Sequence, residues 1–284
     1  CIMYQIKTSS NFKKMIEEQV LKPNLTVVGK TSEEIIKIEW LQVWIKENHI
    51  LNSIQLNIPK NKITCIIGPS GSGKSTLIRS INRINDDVDG ITTQGKINFN
   101  GNSILEKDSD VASLRTAIGM VFQKPCVFPK SIKENVLFGI QHLKKLSKLE
   151  KLQIVEENLK AASLWKEVSH RLNDKASSLS IGQQQRLCIA RTLAVKPEVI
   201  LLDEPTSSLD PLSTRAIEDM MVQLKEKYTI VFVTHNISQA KRIANHLVLI
   251  CDGKVIEQGS APAMFSCAKD PQTKAYLKDE YCAC

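Results

Sequence analysis

A glycine-rich loop near residue 70 constrains the fold of this chain more than any other feature of its sequence. Eight consecutive residues fit the pattern G-x-x-x-x-G-K-[ST]: Gly68, Pro69, Ser70, Gly71, Ser72, Gly73, Lys74 and Ser75. An apolar, β-branched run at 62–68 predicts a buried strand, and a helix-like segment follows at 74–84. Glycines let backbone N–H groups approach phosphate oxygens, and a helix N-terminus adds further donors. The sequence therefore predicts a strand, a phosphate-binding loop and a helix in succession.

The side chains that close this loop indicate what it binds. Lys74 is expected to reach the β- and γ-phosphates of a nucleotide, and the Ser75 hydroxyl to bind Mg²⁺. Thr76 follows in the first turn of the predicted helix, and we include it among the nucleotide-binding residues.

A second apolar strand ends in two carboxylates. The run VILLD at 199–203 predicts a buried strand, and Glu204 follows it directly. An Asp at the carboxyl end of such a strand projects into the crevice where α/β folds bind ligands, so Asp203 is the expected Mg²⁺ partner, through water. Glu204, beside the γ-phosphate, would polarise an attacking water.

Strand and helix patterns alternate along the rest of the chain. Apolar runs predict strands at 62–68, 118–125, 199–205 and 229–236. Asn100-Gly101 and Asp252-Gly253 predict hairpin turns. A helical pattern extends from Ser131, which forms a capping box with Glu134, to about residue 179. Within it, apolar residues recur at helix-like spacing: Leu149, Leu152, Ile154, Val155, Leu159 and Ala162. Strands separated by helices predict an α/β fold with a parallel sheet and crossover helices.

Composition excludes several classes of protein. No apolar run among the 284 residues approaches the ~18 needed to span a bilayer, so the chain is not itself a channel. Eight cysteines without a Cys-x-x-Cys pair, several of them in apolar runs, and no secretory apolar core near the start favour a reducing, cytoplasmic compartment. A net charge of +8 suits an anionic partner, but lysines spread over solvated faces explain it equally well.

The glycine-rich loop and four further motifs, in order, resemble those of ABC (ATP-binding cassette) ATPases. Residues 179–186, LSIGQQQR, resemble the LSGGQ signature that precedes the carboxylate strand. Gln123 resembles the glutamine of the Q-loop, residues 208–210 resemble the D-loop, and His235 resembles the switch histidine. The resemblance covers about residues 36–260 and implies a P-loop NTPase core with an antiparallel β subdomain and an inserted α-helical subdomain.

The resemblance also implies a site shared between two copies of the chain. It gives catalytic roles to Lys74, Gln123, Glu204 and His235, with Gln123 joining Ser75 and Asp203 at the metal. A homodimer would place ATP between the loop of one copy and the signature of the other, through Ser180, Gly182, Gln183 and Asp210. Ser180 and Gln183 form a capping box that starts a helix at Ile181, whose first N–H groups would meet the γ-phosphate.

Two positions depart from the family pattern. Ile181 stands where the family usually has glycine. As a first helical residue it is tolerated, so we expect a working site with slower turnover. The family's adenine-stacking aromatic falls near residue 45, where this chain has isoleucine. Trp44 is therefore our candidate for stacking, and a core tryptophan is the alternative.

Longer matches indicate which cassettes this one is most similar to. Residues 81–90, 122–136, 177–211 and 233–245 resemble the ATP-binding subunits of bacterial phosphate importers. Importers of another solute, and soluble ABC ATPases acting on nucleic acid or ribosomes, are the alternatives. The short interval from Lys74 to Ser180 has no heptads, and the chain has only one cassette, which disfavours the soluble class.

The likeness implies partners, a location and boundaries. The partners would be a second ATPase subunit, two integral membrane permeases and an extracytoplasmic phosphate-binding protein, with no nucleic acid. The chain would lie peripherally at the cytoplasmic face of the membrane. We expect a loosely ordered extension at 1–34, the ATPase domain at 35–260 with its helical subdomain at about 127–180, and a C-terminal segment at 261–284.

Overall fold

The computed structural model describes residues 34–106, 108–142 and 145–278. The predicted extension at 1–34 lies outside these ranges except for Glu34, where the first strand begins. The strands are β1 (Glu34–Ile45), β2 (Asn48–Pro59), β3 (Ile63–Ile67), β4 (Ile91–Phe99), β5 (Asn102–Ser103), β6 (Ile118–Val121), β7 (Val199–Asp203), β8 (Thr229–Val233), β9 (His246–Cys251) and β10 (Lys254–Ser260). The α-helices are α1 (Lys74–Ile81), α2 (Val111–Ala117), α3 (Ile132–Leu137), α4 (Lys148–Ala161), α5 (Trp165–Val168), α6 (Ile181–Ala194), α7 (Pro211–Leu224), α8 (Ile237–Ile243), α9 (Ala261–Cys267) and α10 (Pro271–Leu277).

The strands form two sheets. The smaller sheet is antiparallel, in the order β2-β1-β4-β5. The larger sheet has the order β10-β9-β3-β8-β7-β6 and is parallel except for β10, which pairs antiparallel with β9. The four predicted strands β3, β6, β7 and β8 lie side by side in this sheet, which confirms the predicted parallel arrangement.

The structure has both of the hairpin turns that the sequence predicted. Asn100 and Gly101 join β4 to β5 with φ of 49° and 81°. Asp252 and Gly253 join β9 to β10 with φ of 46° and 68°. Positive φ at both central residues matches the twist of the flanking strands, and Asn-Gly and Asp-Gly adopt it at low cost.

The parallel sheet is buried on both faces. Along β7, Ile200 and Leu202 pack in one apolar cluster with α6, while Val199 and Leu201 pack in the other with α1 and the antiparallel sheet. All five residues of β7 are buried. Burial on both faces explains why this strand is a continuous apolar run rather than an alternating one.

The predicted helical region consists of short helices packed on α6. Val155 and Leu159 of α4 are buried against it, whereas Leu149 and Leu152 of the same apolar pattern are 68% and 45% exposed. The predicted Ser131–Glu134 capping box opens α3, and a second box, not singled out from the sequence, opens α4 at Ser147.

The cysteines, the C-terminal segment and the helices can each be compared with what the sequence predicted. Cys65, Cys188 and Cys251 are buried thiols, as their apolar surroundings predicted, and burial raises the pKa of Cys65. Ala261 and Met264, in the segment beyond the expected domain boundary, pack into the core of the parallel sheet. Among the described residues, no helix is both long and apolar enough to cross a membrane.

Candidate nucleotide site

The glycine-rich loop follows β3 and needs glycine for two different reasons. Gly68, Gly71 and Gly73 have φ of 148°, 80° and 95°, which L side chains rarely adopt. A Cβ on Gly68 would lie 1.9 Å from the Ile250 carbonyl oxygen, and one on Gly73 would lie 2.6 Å from Leu51 Cδ2. Gly71 has no such neighbour within 4 Å. The loop is therefore packed tightly against β9 and β2 at its ends and open at its centre.

Helix α1 points its N-terminus into this loop. Its first intrahelical hydrogen bond runs from Leu77 N–H to the Gly73 carbonyl at 2.9 Å. The N–H groups of Lys74, Ser75 and Thr76 precede that bond and have no partner within the helix. Together with the positive end of the helix dipole, these donors form an anion-binding end.

Lys74 lies across the loop. Its Nζ donates to the carbonyl oxygens of Gly68 at 2.9 Å and Pro69 at 2.7 Å, and only 5% of the residue is exposed. Burial lowers the pKa of Lys74, while the charges of Glu204 and Asp203 oppose that change. An ammonium has three donors, so one remains for a phosphate oxygen.

Asp203 joins the strand β7 to the helix α1. Its Oδ1 accepts from the Ser75 hydroxyl at 2.7 Å, and its Oδ2 accepts from Arg79 Nη2 at 3.0 Å. The Asp203 side chain is 2% exposed. A buried carboxylate beside a hydroxyl is an oxygen donor set of the kind that Mg²⁺ prefers. Among the described residues, no three His, Cys, Asp or Glu side chains lie close enough together to hold a metal ion.

Glu204, His235 and Gln123 come together at the carboxyl ends of three neighbouring strands. Glu204 Oε2 lies 3.0 Å from His235 Nδ1 and accepts from Gln123 Nε2 at 3.4 Å. Gln123 Nε2 also donates to Ser207 Oγ at 3.2 Å. Glu204 has a left-handed φ of 43°, which is uncommon for a non-glycine residue.

The signature forms the helix start that the sequence predicted. Ser180 accepts from Gln183 N–H at 3.3 Å, and Gln183 Oε1 accepts from Ser180 N–H at 3.0 Å, which completes a capping box. Ile181 is the first residue of α6, outside the left-handed region, with its side chain 53% exposed. Its place as a first helical residue is therefore confirmed, with no backbone strain. A Cβ on Gly182 would lie 2.7 Å from Ser213 Oγ, so the Ser213 side chain would have to move to admit it.

Asp210 and Trp44 make contacts within the chain. Asp210 caps α7 by accepting from Ser213 N–H at 2.9 Å, and hydrogen bonds from Ser213 lower its pKa. The Trp44 ring stacks on His49 with centroids 4.6 Å apart, which occupies one of its faces. The nucleotide-binding roles of both residues stay predictions.

The predicted site residues form two groups. Hydrogen bonds connect Asp203 to Ser75, and Glu204 to His235 and Gln123, beside the loop. The signature instead makes hydrogen bonds to a neighbouring helix, where Gln183 Nε2 donates to Glu167 at 2.8 Å.

Two residues that contact the site, Arg79 and Gln185, were not predicted from the sequence. Arg79 lies four residues after Ser75 on α1, so helical spacing could have placed both side chains near Asp203. Gln185 is fully buried and donates to the Phe122 carbonyl at 3.0 Å, which ties α6 to the residue before Gln123. No local pattern predicts that link, because 63 residues separate its partners.

Comparisons with known proteins agree with this geometry. Residues 51–207 match the ABC transporter family. The chain is 47% identical over 262 residues to the phosphate import ATP-binding protein PstB 1 of Vibrio cholerae serotype O1, covering 91% of this chain and 95% of that protein. It is 51% identical over 233 residues to PstB 2 of Aliivibrio fischeri, covering 81% and 85%.

Solved structures have the same fold. The structure of cbiO1 from Clostridium perfringens, part of the ABC transporter complex cbiONQ, superposes with a TM-score of 0.73 at 31% identity, covering 87% of this chain and 96% of that one. The dimeric ATP-binding cassette MJ0796, bound to ADP and Pi after hydrolysis, gives a TM-score of 0.69 at 31% identity, covering 80% and 98%. The predicted P-loop fold is confirmed, and this chain belongs to the ABC transporter family.

Proposed function

We propose that this chain is the ATP-hydrolysing subunit of an ABC importer and that the imported solute is inorganic phosphate. The ATPase is supported above all by the cluster of Lys74, Asp203, Glu204 and His235 beside one glycine-rich loop. Phosphate as the solute is supported by 47% and 51% identity, over most of the chain, to proteins named for phosphate import.

The chain's own groups would act on ATP in distinct ways. The N–H groups at the start of α1 and the Lys74 ammonium bind the phosphates. Ser75, Asp203 and Gln123 would hold Mg²⁺, and the bound cation would neutralise charge on the phosphate oxygens. Glu204 orients the attacking water and accepts its proton, and His235, 3.0 Å away, holds the carboxylate in place.

A complete site requires a second copy of the chain. The capping box pairs the N–H groups of Ser180 and Gln183, whereas those of Ile181 and Gly182 precede the first intrahelical bond of the signature helix. The Gln183 side chain donates to Glu167 rather than to the loop. We therefore propose a head-to-tail homodimer in which Ser180, Gly182 and Gln183 of one copy contact the γ-phosphate held by the other. ATP closes this dimer, and hydrolysis releases it.

We propose that the chain works in a complex with membrane and extracytoplasmic proteins. Two integral membrane permeases carry the solute, an extracytoplasmic protein delivers phosphate, and the cassette lies at the cytoplasmic face of the membrane. The ATPase domain occupies about residues 35–260, with a helical subdomain at about 127–180 and a C-terminal segment beyond residue 260.

Two substitutions test the ATPase. Lys74→Ala should abolish hydrolysis, because it removes the only buried ammonium that reaches the loop in the described residues. Glu204→Gln keeps the shape of the side chain but cannot accept a proton, so it should trap an ATP-bound dimer on size-exclusion chromatography. Rapid ATP turnover by Glu204→Gln would remove Glu204 from its role as base.

Transport requires the assembled complex. The complex isolated from membranes and reconstituted in vesicles should take up radiolabelled phosphate when ATP is supplied, and should lose this uptake with Lys74→Ala. ATP-driven uptake of another solute in place of phosphate would refute the proposed solute. Cofractionation of the chain with ribosomes or DNA would refute transport itself.

A further inference from the structure

A buried amide outside the nucleotide loop connects the two segments that carry Glu204 and His235. Gln239 lies in the first turn of α8 and is 1% exposed. Its Oε1 accepts from the Thr234 hydroxyl at 2.8 Å, and its Nε2 lies 3.1 Å from Thr206 Oγ1. Thr206 follows Glu204 by two residues, and Thr234 directly precedes His235. One side chain therefore bridges the turn after β7 and the turn after β8.

The Glu204–His235 contact depends on how those two turns are held. Glu204 Oε2 and His235 Nδ1 lie 3.0 Å apart, across the gap that Gln239 spans. Glu204 also has a left-handed φ of 43°, and such a backbone persists only where neighbouring contacts fix it. A hydrogen bond from Glu204 N–H to the Val233 carbonyl at 3.1 Å joins the same turns from the backbone side.

A buried carboxylate fixes the orientation of the amide. Glu218 of α7 is 2% exposed, and Gln239 Nε2 donates to its Oε1 at 3.0 Å. Arg242 donates to both oxygens of Glu218, at 2.7 and 2.5 Å. Because an ionised carboxylate only accepts hydrogen bonds, it keeps Nε2 on its own side and leaves Oε1 for the Thr234 hydroxyl.

We propose that Gln239 is a positioning residue for ATP hydrolysis, which holds Thr206 and Thr234 so that Glu204 and His235 meet, and that Glu218 orients its amide. This inference rests on the proposed function, in which that pair acts on the attacking water. Gln239 touches neither the phosphate loop nor the carboxylate of Asp203 in the described contacts, so it acts on the rate of reaction and leaves nucleotide affinity unchanged.

An exchange of donor and acceptor tests this role in the full chain. Gln239→Glu keeps the shape of the side chain but sets a second carboxylate against Glu218. We expect kcat to fall about 10- to 100-fold, because small misplacements of reacting groups lower the rate by such factors. KM for ATP should change by less than about twofold, since the loop is untouched. The double variant Gln239→Glu/Glu218→Gln restores one donor facing one acceptor and should recover most of kcat. If Gln239→Glu does not fold, Thr234→Val removes one hydroxyl from the same link and carries the same expectation.

Ser147→Ala is the matched control, because it removes the capping box of α4 and leaves the contacts of Gln239 and Glu218 in place. It should lower the thermal midpoint without a comparable loss of kcat. A wild-type kcat for Gln239→Glu, or losses of kcat in both variants that follow their losses of stability, would overturn the inference. Glu204→Gln separates the two proposals: if it hydrolyses ATP normally, the proposed function fails, and if it is inactive while Gln239→Glu is normal, only the positioning role fails.

Discussion

Replacing Gly68 by alanine tests the closest backbone approach in the phosphate loop. The added Cβ would lie 1.9 Å from the Ile250 carbonyl oxygen, so the two must separate by 1.1 Å to reach even a 3.0 Å contact. Ile250 lies in β9, whose neighbour Leu249 pairs with Ile67, so this separation would pull apart β3 and β9. Overpacking costs about 1–3 kcal/mol, and the left-handed φ costs a further 1–3 kcal/mol or so. We therefore expect Gly68→Ala to lose about 2–6 kcal/mol of unfolding free energy.

Gly71→Ala is the control within the same loop. Gly71 also has a left-handed φ, of 80°, but an added Cβ would meet no atom within 4 Å. It should lose only the backbone strain, about 1–3 kcal/mol. Thermal unfolding followed by circular dichroism without nucleotide would measure both, and each kcal/mol corresponds to about 2–4 °C for a domain of this size. Equal midpoints for the two variants would show that the approach to Ile250 does not govern this position.

The capping boxes, the isoleucine of the signature and the Glu218–Arg242 ion pair can each be tested by substitution. Ser180→Ala and Ser147→Ala each remove a capping box, and each should lower the unfolding free energy measured in urea by about 0.5–2 kcal/mol. Only Ser180→Ala should weaken ATP-driven dimerisation. Equal dimerisation of the two variants would contradict the role of the signature helix. Ile181→Gly should leave dimerisation intact, because Ile181 is helical and half-exposed; a chain that dimerises only after this change would refute the prediction of a working site. Burial opposes ionisation of Glu218, but hydrogen bonds from Arg242 and Gln239, together with the charges of Arg242 and Arg215, lower the pKa of that carboxyl. The stability that the ionised form of Glu218 contributes is complete above the unfolded pKa of about 4.3 and is lost as pH falls through the lower folded pKa. Arg242→Met should therefore have an unfolding free energy about 1–3 kcal/mol below wild type at pH 7 and should approach wild type below about pH 4. A difference in unfolding free energy that does not change with pH would exclude the ion pair as its cause.

Some regions of the fold could be predicted only in part. The apolar spacing of α4 predicted a helix, but it did not reveal that Leu149 and Leu152 would lie in solvent while Val155 and Leu159 pack on α6. Periodicity gives the face of a helix, whereas the neighbouring elements decide how much of that face is covered. The ring contact of Trp44 with His49 was also beyond sequence reasoning, because it depends on the register of β1 against β2.

The sequence by itself determined the features whose partners lie within a few residues. The glycine loop between β3 and α1, the capping box at Ser180 and the hairpin turn at Gly253 depend on local backbone geometry, so residue type and spacing were sufficient. Only the tertiary structure decided which distant groups meet. Ser75 and Asp203 are 128 residues apart, and their 2.7 Å contact exists because β7 ends and α1 begins at the same edge of the parallel sheet. The link through Gln239 depends on three elements packing together, and burial then makes each of its hydrogen bonds obligatory.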